Sequence, residues 1–156
     1  MELNLIVKQV LLDIDFIKRY EALSKEYDLE RLGDKTRLKY LDGELVMDMI
    51  SEAGYIPGFD PKEKFFKFYE KIEDYRFGLH IVLYNGTVEL IWAVKDKEKS
   101  IAGMPWGIYS RLMIDPDYRI KMPNFSDYDE LEDILKTAFT IYEDFKQVFL
   151  EVAEVK

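Results

Sequence analysis

Between Phe77 and Lys95 two apolar runs, FGLHIVLY and TVELIWAVK, flank the dipeptide Asn85-Gly86. Asn-Gly suits the two positive-φ positions of a type I′ turn, whose twist matches that of the strands it joins. This stretch is therefore predicted to be a β-hairpin. Side chains alternate along a strand, so each run carries one apolar face: Phe77, Leu79, Ile81 and Leu83 on the first, Val88, Leu90 and Trp92 on the second. That face needs a partner layer, and the C-terminal segment offers one. Leu131, Ile134, Leu135, Ala138, Ile141, Tyr142, Phe145, Phe149 and Val152 form a stripe at helical spacing. Ser126 or Asp127 is placed to cap this helix, and the acids of its first turn suit the helix dipole.

The N-terminal third reads as helical. Ile6, Val10, Ile14, Ile17 and Leu23 recur at near-helical spacing, Asp15 is placed to cap a helix from Phe16 to Tyr27, and Gly33 follows as a C-terminal stop. The stretch 3–12 is also short and Leu/Val-rich enough for a strand. Two segments carry double signals. In 36–53, Leu38, Leu41, Leu45 and Met49 mark a helical face ending at Gly54, which favours a helix, while Asp42-Gly43 is a hairpin signal. In 62–73, Asp60, Pro61 and Glu63 look like a helix start, but Phe66 and Phe68 alternate with Lys67 and favour a strand. After a charged turn at 95–99 the expectation is a loop, a strand from about Ile108 to Ile114, a turn at Asp115-Pro116-Asp117, and a short extended piece ending at Pro123. These elements predict an α+β fold: a small, mostly antiparallel sheet packed against N-terminal and C-terminal helices. With 156 residues, no repeat and no Gly/Ser linker, 1–156 is expected to be a single domain.

Hydrophobic residues make up 48% of the chain and aromatics 15%, enough for a sizeable core and too much for a disordered chain. The formal charge of −9 opposes phosphate backbones and anionic membranes, so no nucleic acid and no membrane partner is expected. An acidic surface keeps a protein soluble and speeds encounter with basic partners. The charge is uneven: residues 115–156 hold 11 acids and 5 bases. Without cysteine, disulfides, thiolate metal sites and a cysteine nucleophile are excluded. The start of the chain lacks the pattern of a signal peptide and no run reaches the roughly 20 apolar residues of a membrane helix, so a cytoplasmic address is expected.

No catalytic constellation stands out. His80, the one histidine, lies among Gly78, Leu79, Ile81 and Val82 and reads as a structural residue. The pairs Asp13/Asp15, Asp115/Asp117 and Asp127/Asp129 fit helix starts and a turn better than a metal loop, and Glu89 reads as a solvated strand charge. No nucleophile-elbow motif and no glycine-rich phosphate loop occurs, so no cofactor is expected. The segment holding Trp106, Tyr109, Arg111, Tyr118 and Arg119 combines large aromatics and arginine around a bend, the residue types of interface hot spots. The alternative is that Trp106 and Tyr109 close the end of the sheet.

The hairpin with Val88, Glu89 and Leu90, the bend GMPWGIYSRLM, and the run Pro123, Phe125, Tyr128, Glu130, Leu131 opening an acidic terminal helix cover roughly the last 80 residues. This layout resembles that of small immunity proteins encoded beside bacterial polymorphic and contact-dependent toxins. The resemblance implies a cytosolic, non-enzymatic inhibitor that binds one cognate toxin domain, a nuclease for example. In that reading Trp106, Tyr109 and Tyr118 anchor the contact beside Arg111, and the carboxylates of Asp115, Asp117, Asp127, Asp129, Glu130 and Asp133 steer it. An unrelated regulatory interaction module and a carboxylate-dependent hydrolase are the alternatives.

Overall fold

A computed structural model describes residues 2–32 and 36–154; the expected stop at Gly33 lies outside them. Five strands form one antiparallel meander in the order β1-β2-β3-β4-β5: β1 Gly58–Asp60, β2 Phe65–Ile72, β3 Tyr75–Tyr84, β4 Thr87–Asp96 and β5 Lys99–Pro105. The predicted hairpin is β3 and β4. Tyr84 pairs with Thr87 across Asn85 (φ 55°) and Gly86 (φ 81°), the positive angles that a type I′ turn requires. At Gly86 an added Cβ would also come within 2.4 Å of the Arg37 side chain.

One face of the sheet carries Phe66, Phe68, Phe77, Leu79, Ile81, Val88, Leu90, Trp92 and Val94, all buried. The helices cover this face. They are α1 Leu5–Asp13, α2 Phe16–Glu26, α3 Gly43–Glu52, α4 Trp106–Met113 and α5 Tyr128–Glu154. Helix α5 lies across the strands through its aromatic stripe. Tyr142 meets Phe68 edge-on at 5.2 Å, Phe149 meets Phe77 at 5.5 Å, and Phe145 stacks on Trp92 at 4.2 Å. From the other side Phe16 of α2 packs against both Trp92 and Trp106. This is the expected α+β arrangement.

Local chemistry decides the ambiguous segments. Asp42 accepts a hydrogen bond from the Glu44 N–H, so Asp42-Gly43 starts α3 rather than turning a hairpin, and the expected helix over 36–53 is confined to its second half. Asp60 accepts from the Lys62 and Glu63 N–H groups and closes a turn, after which the alternating Phe66-Lys67-Phe68 run is strand β2. The N-terminal region is two helices. They are separated at Asp15, which takes a left-handed φ of 57° and gives no side-chain cap. The cap of α5 is Asp127, which accepts the Glu130 N–H at 2.8 Å, while the Glu130 carboxylate returns to the Ser126 N–H at 2.7 Å.

Besides the cap expected at Asp15, the expectations for 103–114 are overturned. The loop expected at 103 is the end of strand β5, and the strand expected from Ile108 to Ile114 is helix α4. Trp106, Tyr109 and Ser110 fall at i, i+3 and i+4 and are fully buried, so helical packing outweighs the strand propensity of the aromatic and branched residues here.

Candidate functional site

The ten residues singled out by sequence fall into separate settings, Arg111 in a cleft and Tyr118 against α2 among them. Trp106 and Tyr109 are 0% exposed. Trp106 packs against Phe16, Tyr20 and Trp92, and the Tyr109 hydroxyl accepts from the Met104 N–H. Both therefore belong to the core and cannot anchor a partner, a correction to the expectation. Their side chains are too large to be left at the end of the sheet once α4 folds over it.

Three acids hold the chain to itself. Asp127 caps α5, and Asp115 accepts the Asp117 N–H within its turn. Burial pushes the Glu130 carboxyl up, but the Ser126 N–H and hydroxyl and the Arg31 guanidinium outweigh it and hold it below the usual carboxylate range. Asp117, Asp129 and Asp133 are exposed, and their carboxylates make no hydrogen bond or ion pair among the described residues.

Asp133 and Glu130 lie near Tyr27, at the end of α2. The segment after α4 runs along α2, where the Tyr118 hydroxyl donates to Glu21, Ser24 donates to the Lys121 carbonyl, and the Asn124 N–H donates to the Tyr27 carbonyl. Burial, then the carboxylates of Glu26, Asp133 and Glu130, push the Tyr27 hydroxyl above the usual tyrosine range. Tyr27 thus lies among acids of α2 and the start of α5, with the Arg31 guanidinium 5.1 Å over its ring opposing them.

Arg111, Arg119 and Glu89, from three separate segments, meet in a cleft of about 320 Å³. The cleft opens where the outer edge of β4 changes partner. Beyond Ile91, which pairs with Pro105, the next contact on that edge is Thr87 with Asn124. Tyr20 and Trp106 also line it, with Lys121 at its rim. A wider groove of about 660 Å³ lies between α3 and the sheet, walled by Leu41, Met47, Phe59, Phe66 and Leu83; its Asp42 is committed to capping α3.

No match was found among family models, curated proteins or solved structures.

Sequence reasoning missed the uncovered face of the sheet. Alternation and register place Phe65, Lys67, Tyr69, Lys71, Arg76, His80 and Lys95 there, with Asp60 and Glu89. The Tyr69 hydroxyl lies 2.6 Å from His80 Nε2, Phe65 stacks on the imidazole at 4.5 Å, and the Arg76 guanidinium sits 4.1 Å over the Tyr69 ring. Tyr69 lies across Gly78, where an added Cβ would fall 2.5 Å from its ring. Burial, then the Lys67 ammonium, hold the His80 pKa below its ordinary value, with Asp60 opposing. His80 is therefore part of a surface cluster rather than a core histidine. The signal available in sequence was the outward parity of these residues once the hairpin is set. Among the described residues no three acidic or histidine side chains gather as a metal site.

Proposed function

We propose that this chain is an immunity protein that binds and neutralises a cognate bacterial toxin domain in the cytosol, acting by contact rather than by catalysis. One observation carries the reading: Asp117, Asp129 and Asp133 are exposed carboxylates without a hydrogen bond or ion pair among the described residues, with Asp133 near Tyr27 at the end of α2 and Asp117 next to Tyr118, which bonds Glu21 of α2. Carboxylates already held by caps and ion pairs are satisfied within the fold; these three are available to cations from outside. On a chain of net charge −9 they raise the encounter rate with a basic partner, and close interfacial charge pairs contribute roughly 1.5–7 kcal/mol. The resemblance of the sequence layout to that of immunity proteins motivates the same reading. With Trp106 and Tyr109 in the core, the aromatic part of the contact falls to half-buried Tyr118 and Tyr27 near these acids.

The test is co-expression with the C-terminal toxin domain encoded next to this chain. Rescue of growth and co-purification in equal amounts are expected; neither occurring removes the proposal.

The uncovered sheet face favours a second reading, an interaction module for an anionic protein. Lys67, Lys71, Arg76 and Lys95 stand there against Asp60 and Glu89, an excess of cations on an acidic chain. Reversing Lys71 and Lys95 to Glu separates the two readings. It abolishes partner binding in the second and leaves the toxin complex intact in the first.

A further inference from the structure

The uncovered sheet face carries its cations in an arrangement that costs the fold stability. Register places Lys71 opposite Arg76 and Arg76 opposite Lys95, so three exposed like charges stand side by side across β2, β3 and β4. Like charges directly opposite on neighbouring strands destabilise a sheet. None of the three forms an ion pair among the described residues, and Arg76 lies over the Tyr69 ring. The acids of the adjoining turns, Glu73, Asp74 and Asp96, act on Tyr75, which packs on Phe149 at the covered face. Asp60 and Glu89 stand at the opposite end of the strands. The row next to the cations is flat: Tyr69, Gly78, Ala93 and Gly103 pair in register across β2 to β5, and the Tyr69 ring lies across Gly78. A helix can therefore lie across the strands beside the cations.

Helix α3 has the complementary pattern. It buries Val46 and Ile50, and Glu44, Asp48 and Glu52 fall on the opposite side, each about one turn from the next. All three are exposed, none forms an ion pair among the described residues, and α3 holds no cation. Of the cations that share a hollow with them, Lys136 pairs with Glu132, while Lys39 and Lys64 line the groove with Glu44 without pairing it. Like charges at i, i+4 destabilise a helix, and Glu52 in the last turn opposes the helix dipole. Both rows are therefore unfavourable within one chain and complementary between two. The carboxylates recur about 6 Å apart along the helix and the cations about 4.8 Å apart across the strands, a difference that long side chains absorb.

We propose that the uncovered sheet face binds helix α3 of a second copy of this chain. Glu44, Asp48 and Glu52 meet Lys71, Arg76 and Lys95, and Leu45, 41% exposed on α3, rests on the flat row beside them. The proposal names the partner in the anionic-protein reading of this face and rests on that reading. Repulsion between two chains of charge −9 is screened beyond about 8 Å at physiological salt, while pairs in contact keep their attraction.

Sedimentation velocity of the full chain over a range of concentrations, at physiological ionic strength, tests it. Reversible self-association is expected. Lys71→Glu with Lys95→Glu, and separately Glu44→Lys with Asp48→Lys, should each weaken it about tenfold or more. All four positions are exposed, so both variants are expected to fold, which circular dichroism checks. Mixing the two variants should restore association, because the reversed face then meets the reversed helix. A parent that stays monomeric, variants that associate like the parent, or a mixture that stays apart would overturn the assignment. An oligoglutamate peptide separates this from the wider reading. If the parent is monomeric yet binds the peptide, and Lys71→Glu with Lys95→Glu does not, the second copy is ruled out and an anionic partner stands. A monomeric parent that ignores the peptide removes both.

Discussion

Lys146 Nζ lies 2.6 Å from Glu70 Oε1 and 2.9 Å from Glu143 Oε2, so one largely buried ammonium ties α5 to the covered face of the sheet. Tyr142 donates to the same Glu70 oxygen at 2.8 Å and Tyr55 to Glu143, which closes a polar network at the edge of an otherwise aromatic core. Breaking a fully buried pair costs about 3–5 kcal/mol. Both carboxylates here keep partial solvent contact, so Lys146→Met is expected to cost about 2 kcal/mol in urea unfolding. Adding Glu70→Gln should recover part of that loss, because the orphaned charge is removed with its partner.

The same network makes the protein sensitive to base. Burial, then hydrogen bonds to Glu143 and Glu70, raise the Tyr55 and Tyr142 hydroxyls above the tyrosine value of 10.0, and burial pushes Tyr109 up to about 12. A raised native pKa means that both states are protonated below 10, so the full stability is present there. Above pH 10 the unfolded chain ionises first, and stability falls by about 1.4 kcal/mol per pH unit for each well-buried tyrosine. Thermal melts from pH 9 to 11 should show this decline, with a shallower slope in Tyr142→Phe.

Burial and binding predict opposite outcomes at the residues first singled out. Trp106→Ala removes a side chain packed against Phe16, Tyr20 and Trp92 and should destabilise by about 3–5 kcal/mol. Glu130→Ala loses the return bond to Ser126 and the Arg31 ion pair and should cost about 1–2 kcal/mol. Asp129→Asn and Asp133→Asn should stay within about 0.5 kcal/mol of the parent. Denaturant midpoints check all four.

The only histidine reports the uncovered sheet face through one NMR titration. His80 should titrate below its ordinary 6.5. Lys67→Gln should move it up and Asp60→Asn down, because the first removes a repelling cation and the second an attracting anion. Gly78→Ala should displace Tyr69 from its seat and change the imidazole shifts, since the added Cβ would collide with that ring.

Local chemistry made half of this fold readable. Asn85-Gly86 sets β3 and β4 because few backbone conformations suit that pair, and the stripe from Leu131 to Phe149 fits only a helix. Helix α4 was missed although Trp106, Tyr109 and Ser110 have helical spacing, because eight residues rich in aromatic and branched side chains fit either element locally. The choice is made by Phe16 and Trp92, which lie far away in sequence. The cleft was beyond reach for the same reason. Glu89, Arg111 and Arg119 come together only where β4 exchanges β5 for the segment around Asn124. The carboxylates were legible as charge but not as free charge. Whether Glu130 caps a helix or meets a partner depends on Arg31 and Ser126 being in place.

The account rests on Asp117, Asp129 and Asp133 steering a basic partner. Stopped-flow association with the proposed partner toxin domain, comparing the parent with the triple Lys substitution at low and high salt, addresses it directly. At least a tenfold slower association at low salt, with a flattened salt dependence and an unchanged fold by circular dichroism, is the predicted result. An association rate that is the same in both proteins and indifferent to salt would contradict it.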